Sequence, residues 1–170
     1  MLTVRSKGIV LQEYIMLIGL PASGKSSWVA DYVAKNPKRN FQVASSDDIL
    51  EEKALLEGLD YNSSYRKNIG FAVKEMERRF KQYVKCGVNI IHDQTNLSVK
   101  SRNKHLAKVK DYKKSAIVFT LTENEWRRRF EKRRAETGKD IPDFVIEKMA
   151  AGFEHPTKKE GFNKIITIKS

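Results

Sequence analysis

Short apolar runs alternate along the chain with stretches in which apolar residues recur every three or four positions, the pattern of strands separated by amphipathic helices. Residues 14–18 form the first such run. After a glycine-rich turn, Trp28, Val29, Tyr32 and Val33 fall on one side of a helix predicted over 27–35, which stops at Asn36-Pro37. A second strand is predicted over 41–44, then a short helix through Ile49, Leu50, Leu55 and Leu56 that Gly58 closes. The longest helix is expected over 63–86. There Tyr65, Ile69, Ala72, Val73, Met76, Phe80, Tyr83 and Val84 keep helical spacing, and Gly87 is placed to end it. Further strands are expected over 88–91, 116–121 and 165–168, with helices over 99–112 and 123–135 and one opened by Pro142 that reaches Ala151. Leu2–Val4 and Ile9–Leu11 read as a hairpin or as an extra edge strand. This alternation predicts an α/β fold, a doubly wound, mostly parallel sheet with helices on both faces.

A length of 170 residues suits one domain over 1–170, with no internal repeat or long linker. The apolar runs fall far short of a membrane span, and no apolar stretch near the N-terminus leads into a small-residue cleavage site, so no membrane partner is expected. Cys86 is the only cysteine. It excludes an internal disulfide, points to a reducing compartment, cytoplasmic or nuclear, and beside Gly87 is expected to pack rather than react.

Charge changes the picture further. Lys and Arg number 33 against 21 Asp and Glu, a formal net charge of +12, which favours a polyanionic partner. Seven basic residues (Lys100, Arg102, Lys104, Lys108, Lys110, Lys113, Lys114) stand against Asp111 alone, and seven more between Arg127 and Lys139 stand against Glu131 and Glu136. The two clusters either line one nucleic-acid path or are separate solvated helix faces.

The strongest chemical signal is Gly19-Leu-Pro-Ala-Ser-Gly-Lys-Ser26, a complete phosphate-binding loop between a strand and a helix. Gly19 and Gly24 permit its tight path, and the amides of Ala22, Ser23, Gly24, Lys25, Ser26 and Ser27 can cradle phosphates. Lys25 reaches the outer phosphates, and the Ser26 hydroxyl suits magnesium. In such a sheet the residues that follow each strand face the ligand crevice. After the second strand come Asp47 and Asp48, of which one is expected to face the acceptor while the other caps the next helix. After the third come Asp93, Thr95 and Asn96. Asp93 can accept from an acceptor hydroxyl or approach magnesium near Ser26; Thr95 and Asn96 can instead shape the loop. Arg129 and Arg133, four apart on one helical face, can clamp phosphates. The segment around 127–142 has the composition of a lid. His92, His105 and His155 show no metal-ligand spacing, and Tyr61, Tyr65 and Phe71 are either core or base-stacking aromatics.

Taken together, the loop Gly19–Ser26, the run Lys35-Asn-Pro37, Ser46-Asp-Asp48, Asp93-Gln-Thr-Asn96 and the arginine helix leading to Gly138-Lys-Asp-Ile-Pro142 resemble the bacteriophage-type polynucleotide 5′-hydroxyl kinase family. They are also similar to the kinase-like domain of the heterogeneous nuclear ribonucleoprotein U proteins. The resemblance implies a P-loop kinase with an arginine-bearing lid, using ATP and Mg2+ to phosphorylate 5′ ends of DNA or RNA. It implies Asp47 as the general base, Asp93 near the acceptor and Arg133 on the donor phosphates, with Arg129 one turn earlier. Two departures stand out. Leu50 occupies the position at which the phage enzyme carries an arginine for the acceptor's phosphate. Both acids, Asp47 and Asp48, are kept, whereas the ribonucleoprotein-type domains lack the first. The alternatives are a kinase of a small molecule or nucleoside, and an ATP-binding nucleic-acid protein that transfers nothing.

Overall fold

The computed structural model describes residues 11–169, so the hairpin or strand expected near the N-terminus lies outside the described residues, apart from Leu11, which is exposed and in no strand. Strand β1 (Glu13–Ile18) sits at the centre of a five-stranded sheet. Its neighbours are β3 (Ile90–His92) on one side and β4 (Lys113–Thr120) on the other. Beyond them lie β2 (Gln42–Ala44) and β5 (Lys164–Lys169), giving the order β2-β3-β1-β4-β5 with every pairing parallel. Parallel strands need crossovers, and these are α1 (Lys25–Lys35), α2 (Ser46–Glu57), α3 (Tyr61–Cys86), α4 (Val99–Leu106), α5 (Glu123–Thr137) and α6 (Asp143–Ala151).

Because both faces of the sheet are covered, β1 is a continuous apolar run rather than an alternating one. Tyr14, Met16 and Ile18 join Ala72, Met76 and Phe80 of α3 on one face; Ile15 and Leu17 join Phe41, Ile91 and Phe119 on the other, where Trp28, Val29, Tyr32 and Val33 of α1 pack as predicted. Trp28 and Tyr32 stack at 4.6 Å.

Four expectations need correction. Helix α3 starts two residues before the predicted Ser63, because the Asp60 carboxylate caps it by accepting from the Ser63 amide at 3.0 Å. Its buried stripe in the first turns is Ser64 and Asn68, not Tyr65 and Val73, which are exposed. Ser64 donates to the Leu50 carbonyl at 3.0 Å and Asn68 to Glu57 at 3.0 Å, so polar bonds to α2 set the rotation of the helix and turn Tyr65 outward, while Ile69 packs against the edge of the core. Helix α4 ends at Leu106 rather than 112, since β4 pairs with β1 along its whole length and begins at Lys113. Cys86, expected to pack, is exposed.

Under β3 lies a closed polar group. His92 is fully buried and its ring centroid is 4.2 Å from that of buried His105. His92 Nε2 faces Gln94 Oε1 at 3.4 Å and Nδ1 lies 2.8 Å from the Tyr14 hydroxyl; with the ring proton on Nε2 toward the Gln94 oxygen, Tyr14 is the donor to Nδ1. Burial, with His105 adding to it, holds His92 down to about 3; burial holds His105 down to about 4 although Glu77 opposes it. Unfolded, both titrate near 6.5. Their neutral burial therefore supplies stability above pH 6.5 that is lost as pH falls. Asp93, lifted by burial to about 6, works the other way but is one group against two. Thermal unfolding should show a loss of roughly 2 kcal/mol between pH 7 and 5. A flat Tm over that interval would mean that the rings accept protons in the folded chain.

Candidate active site

The loop after β1 is built to leave amides free. Gly24, the residue before α1, has φ 97°, a left-handed conformation that favours glycine, and no side chain caps the helix it opens. The first amides of α1 are thus available to an anion, with the positive end of the helix behind them and no acid in its first turn. A Cβ on Gly19 would lie 2.8 Å from Ser23 Oγ and 3.1 Å from the Phe119 carbonyl, so the loop folds back on itself too tightly for any side chain there. Ala22 takes φ 62°, a strained choice for a residue with a Cβ and one found where function requires it. The loop is held from outside as well. Gly19 N donates to the Thr95 carbonyl at 3.0 Å, and Trp126 Nε1 of α5 donates to the Pro21 carbonyl at 2.8 Å.

Lys25 is buried, its ammonium donating to the carbonyls of Gly19 (2.9 Å) and Leu20 (2.8 Å). Burial pulls it down to about 8; Asp93 and Asp47 oppose that shift and Arg133 adds to it. The ammonium is therefore held in a place that costs it solvation, as a group kept for an incoming anion would be. Ser26 Oγ donates to Asp93 Oδ2 at 3.4 Å. Burial lifts the Asp93 carboxyl to about 6, with Asp48 and Asp47 contributing and Lys25 working against them.

Opposite the loop, α2 brings the paired acids. The helix starts at Ser46, so both acids lie inside its first turn, and its cap is the Ser45 hydroxyl, which accepts from the Asp48 amide at 3.2 Å. The expectation that one aspartate would cap the helix is corrected: a serine one strand-end earlier already fills that place. Asp47 lines the cleft; Asp48 is exposed and does not. The Asp47 carboxylate accepts from the Tyr61 hydroxyl at 2.9 Å on Oδ1, and Arg133 stands 3.6 Å from Oδ2. Arg129 and Arg133 of α5 both face the cleft, Arg129 lying against Gly24 and bonded to Glu125 at 2.5 Å.

The residues after β3 divide. Asp93, Gln94 and Thr95 line the cleft. Asn96 does not: it is buried, with φ 46°, and donates from Nδ2 to the Leu17 carbonyl at 2.8 Å. Its place is the alternative allowed from sequence, shaping the loop. The segment expected as a lid is helical through Thr137, leaving residues 138–142 as the connecting loop, which is tied to the start of α3 through Asn62 and Lys139. Tyr61 was read as core or base-stacking, not as a partner of Asp47, and Asn62 and Lys139 were not legible as site residues. Asp60 and Ser63, at N-cap spacing, were the one signal that could have placed Tyr61 at the helix start.

Together these groups enclose a cleft of about 890 Å³. Its lining joins the phosphate loop, Asp47, Asp93, Arg129 and Arg133 with Tyr61, Tyr65, Ile69, Ile141, Val145 and Met149.

The two basic clusters differ in place. None of residues 99–114 lines the cleft, whereas Arg128, Arg129, Lys132, Arg133 and Lys139 of the second cluster do. Arg102 is fully buried, paired with Glu160 at 2.7 Å and donating to the carbonyls of Asn96, Leu97 and Glu154, while Lys104 and Lys108 both reach Glu77 at 2.7 Å. In α5, Arg127 pairs with Glu123 and Arg128 with Glu125. Sequence counting missed Glu77 and Glu160 because they lie far away in the chain.

A parallel α/β sheet with a phosphate loop at its centre and an arginine helix over it defines a P-loop kinase-like protein, of a class capable of phosphoryl transfer. The chain belongs to the AAA domain family, whose model matches residues 15–156. It is 27% identical over 157 residues to heterogeneous nuclear ribonucleoprotein U-like protein 2 of Mus musculus, covering 90% of this chain and 21% of that protein. Among solved structures it is similar to a chain in a Pnkp1/Rnl/Hen1 RNA repair complex, with a TM-score of 0.68 and 25% identity over 95% of this chain and 49% of that one. A sugar kinase from Janibacter sp. HTCC2649 shares the fold, with a TM-score of 0.60 and 15% identity over 93% of this chain and 85% of that one. The chain thus spans about a fifth of the curated relatives' length and about half of the repair protein. Among the described residues, no helix is long and apolar enough to cross a membrane.

Proposed function

We propose that this chain is an ATP-dependent kinase that phosphorylates a hydroxyl of a small acceptor with a flat or apolar body, of nucleoside or sugar size. The observation that carries this reading is the mixed lining of a single cleft. Phosphate-binding groups and a carboxylate share it with two tyrosines and aliphatic side chains, in a volume suited to small ligands. Leu50, at the position where the resembled kinases carry an acceptor-phosphate arginine, is fully buried and offers no cation.

In this reading the α1 amides, Lys25 and Arg129 hold the triphosphate. The acceptor hydroxyl, oriented against Asp47, attacks the terminal phosphorus in line. The bond from that phosphorus to its bridging oxygen breaks, and the hydroxyl proton passes to Asp47. Arg133 and Lys25 offset the charge that develops on the transferring group. Hard oxygen donors suit magnesium, and the Ser26 hydroxyl beside the Asp93 carboxylate fits that ion. Bound there, it would supply charge neutralisation on the phosphate oxygens.

A second reading, the 5′-hydroxyl end of DNA or RNA as acceptor, is favoured by the 25% identity to the RNA repair complex chain and by the net charge of +12. Terminally labelled ATP, offered with free nucleosides and sugars beside matched 5′-hydroxyl oligonucleotides, separates the two. Label is expected on a free small acceptor, with a KM that barely changes between 50 and 200 mM salt. Label found only on oligonucleotides, with binding weakened roughly tenfold or more over that salt range, would replace the first reading with the second.

A further inference from the structure

Building on the reading of Asp47 as the proton acceptor, we propose that Tyr61 is a positioning residue: its hydroxyl fixes the Asp47 carboxylate, and the lid loop seated on its ring keeps it there. Tyr61 is the first residue of α3, and Asp47 lies in the first turn of α2. The hydroxyl donates to Asp47 Oδ1 at 2.9 Å, which leaves Oδ2 to Arg133 and to an acceptor hydroxyl. Without this bond the Asp47 side chain, 49% exposed, has no other neutral donor among its hydrogen-bond partners. Burial, with the Asp47 charge adding to it, raises the phenol far above its ordinary range, so it remains a donor wherever the carboxylate is charged.

The face of the Tyr61 ring carries a further contact. The Lys139 ammonium sits 4.3 Å from the Tyr61 ring centroid and pairs with Glu51 of α2. Asn62, the next residue, donates to the Gly138 carbonyl at 2.6 Å and accepts from the Asp140 amide at 3.2 Å. Residues 138–140 are therefore fastened to the same helical turn that holds the carboxylate. Tyr61 lies between lid and base, and a lid in place presses the phenol toward Asp47. Transfer is thereby favoured when the lid covers the cleft, which keeps water from the terminal phosphate.

The test compares Tyr61→Phe, Asp47→Asn and the double variant, with Lys139→Met as a probe of the lid contact. Tyr61→Phe keeps the ring and removes only the hydroxyl. Its kcat should fall about 10- to 50-fold with Tm and the KM for ATP unchanged, since the bond orients a reacting group and holds no substrate. In the Asp47→Asn background the same change should cost nothing further, because the two act as one unit. Lys139→Met should show a smaller fall of the same kind, about threefold. A normal kcat for Tyr61→Phe beside an inactive Asp47→Asn overturns the positioning role and leaves the kinase reading standing, as does a fall in Tm without a fall in kcat. An Asp47→Asn variant with undiminished kcat overturns the reading of the base itself, and the role of Tyr61 with it.

Discussion

Replacing Lys25 with Met should abolish nearly all phosphoryl transfer, by about 10³-fold in kcat/KM, while leaving the protein as stable as before or more so. The two effects have one cause. The ammonium is buried beneath the loop, where only the Gly19 and Leu20 carbonyls receive it, and burial draws it down to about 8. For a lysine whose folded pKa lies below its unfolded value, the charged form is disfavoured in the native chain, so at neutral pH it subtracts from stability. Met keeps the stem, removes that cost and leaves two carbonyls without a donor, and the two changes roughly offset. A residue that carried the fold would behave oppositely. Single-turnover transfer and thermal unfolding, measured on the same preparation, decide it. A variant that loses Tm in step with activity would place Lys25 among the structural groups, and one that binds and turns over ATP normally would remove the phosphate-loop assignment.

Much of this was legible from residues alone, and the boundary of legibility is physical. Local patterns carried the sheet: β1, the helix after the loop and the glycines at 58 and 87 depend on neighbours within a few positions. The phosphate loop was equally plain, because its conformation is demanded by glycine and serine at fixed offsets. What sequence spacing could not supply was pairing across the chain. Lys104 and Lys108 read as a basic face until Glu77 of α3 is placed beside them, and Arg102 read as a surface cation although Glu160, 58 residues on, buries it. The rotation of α3 was misread for a similar reason. Tyr65 is at helical spacing, so periodicity puts it in the core, but bonds from Ser64 and Asn68 to α2 turn it into the cleft, while Ile69 both packs on the core and lines the cleft. Ser64 and Asn68, which break the hydrophobic pattern, thus set which side chains of α3 reach the cleft.

The paired acids offer the second large effect. Asp47→Asn should lower turnover by about 10² to 10⁴, the range for loss of an acid–base group, with ATP binding retained; Asp48→Asn should change it less than about threefold, as for an exposed substitution off the site. Adjacent residues in one helical turn point about 100° apart, and only Asp47 is turned into the cleft. Its carboxylate meets the Tyr61 hydroxyl and stands 3.6 Å from Arg133, so it occupies the space between the start of α3 and the arginine helix. Asn at position 47 still accepts from Tyr61 through its carbonyl, keeping the local bond while removing the proton-accepting charge. A loss of turnover in that variant therefore reports chemistry rather than collapse of the turn. Asp48 is held by a different interaction, its amide bonded to Ser45, and its side chain lies outside the cleft. Initial rates for both variants at saturating ATP and acceptor, with ATP affinity measured separately, test the pair directly. If Asp48→Asn is the inactive protein and Asp47→Asn runs near normally, the acceptor enters from the outer side of α2, and the cleft between loop and lid is the place only of the phosphate donor.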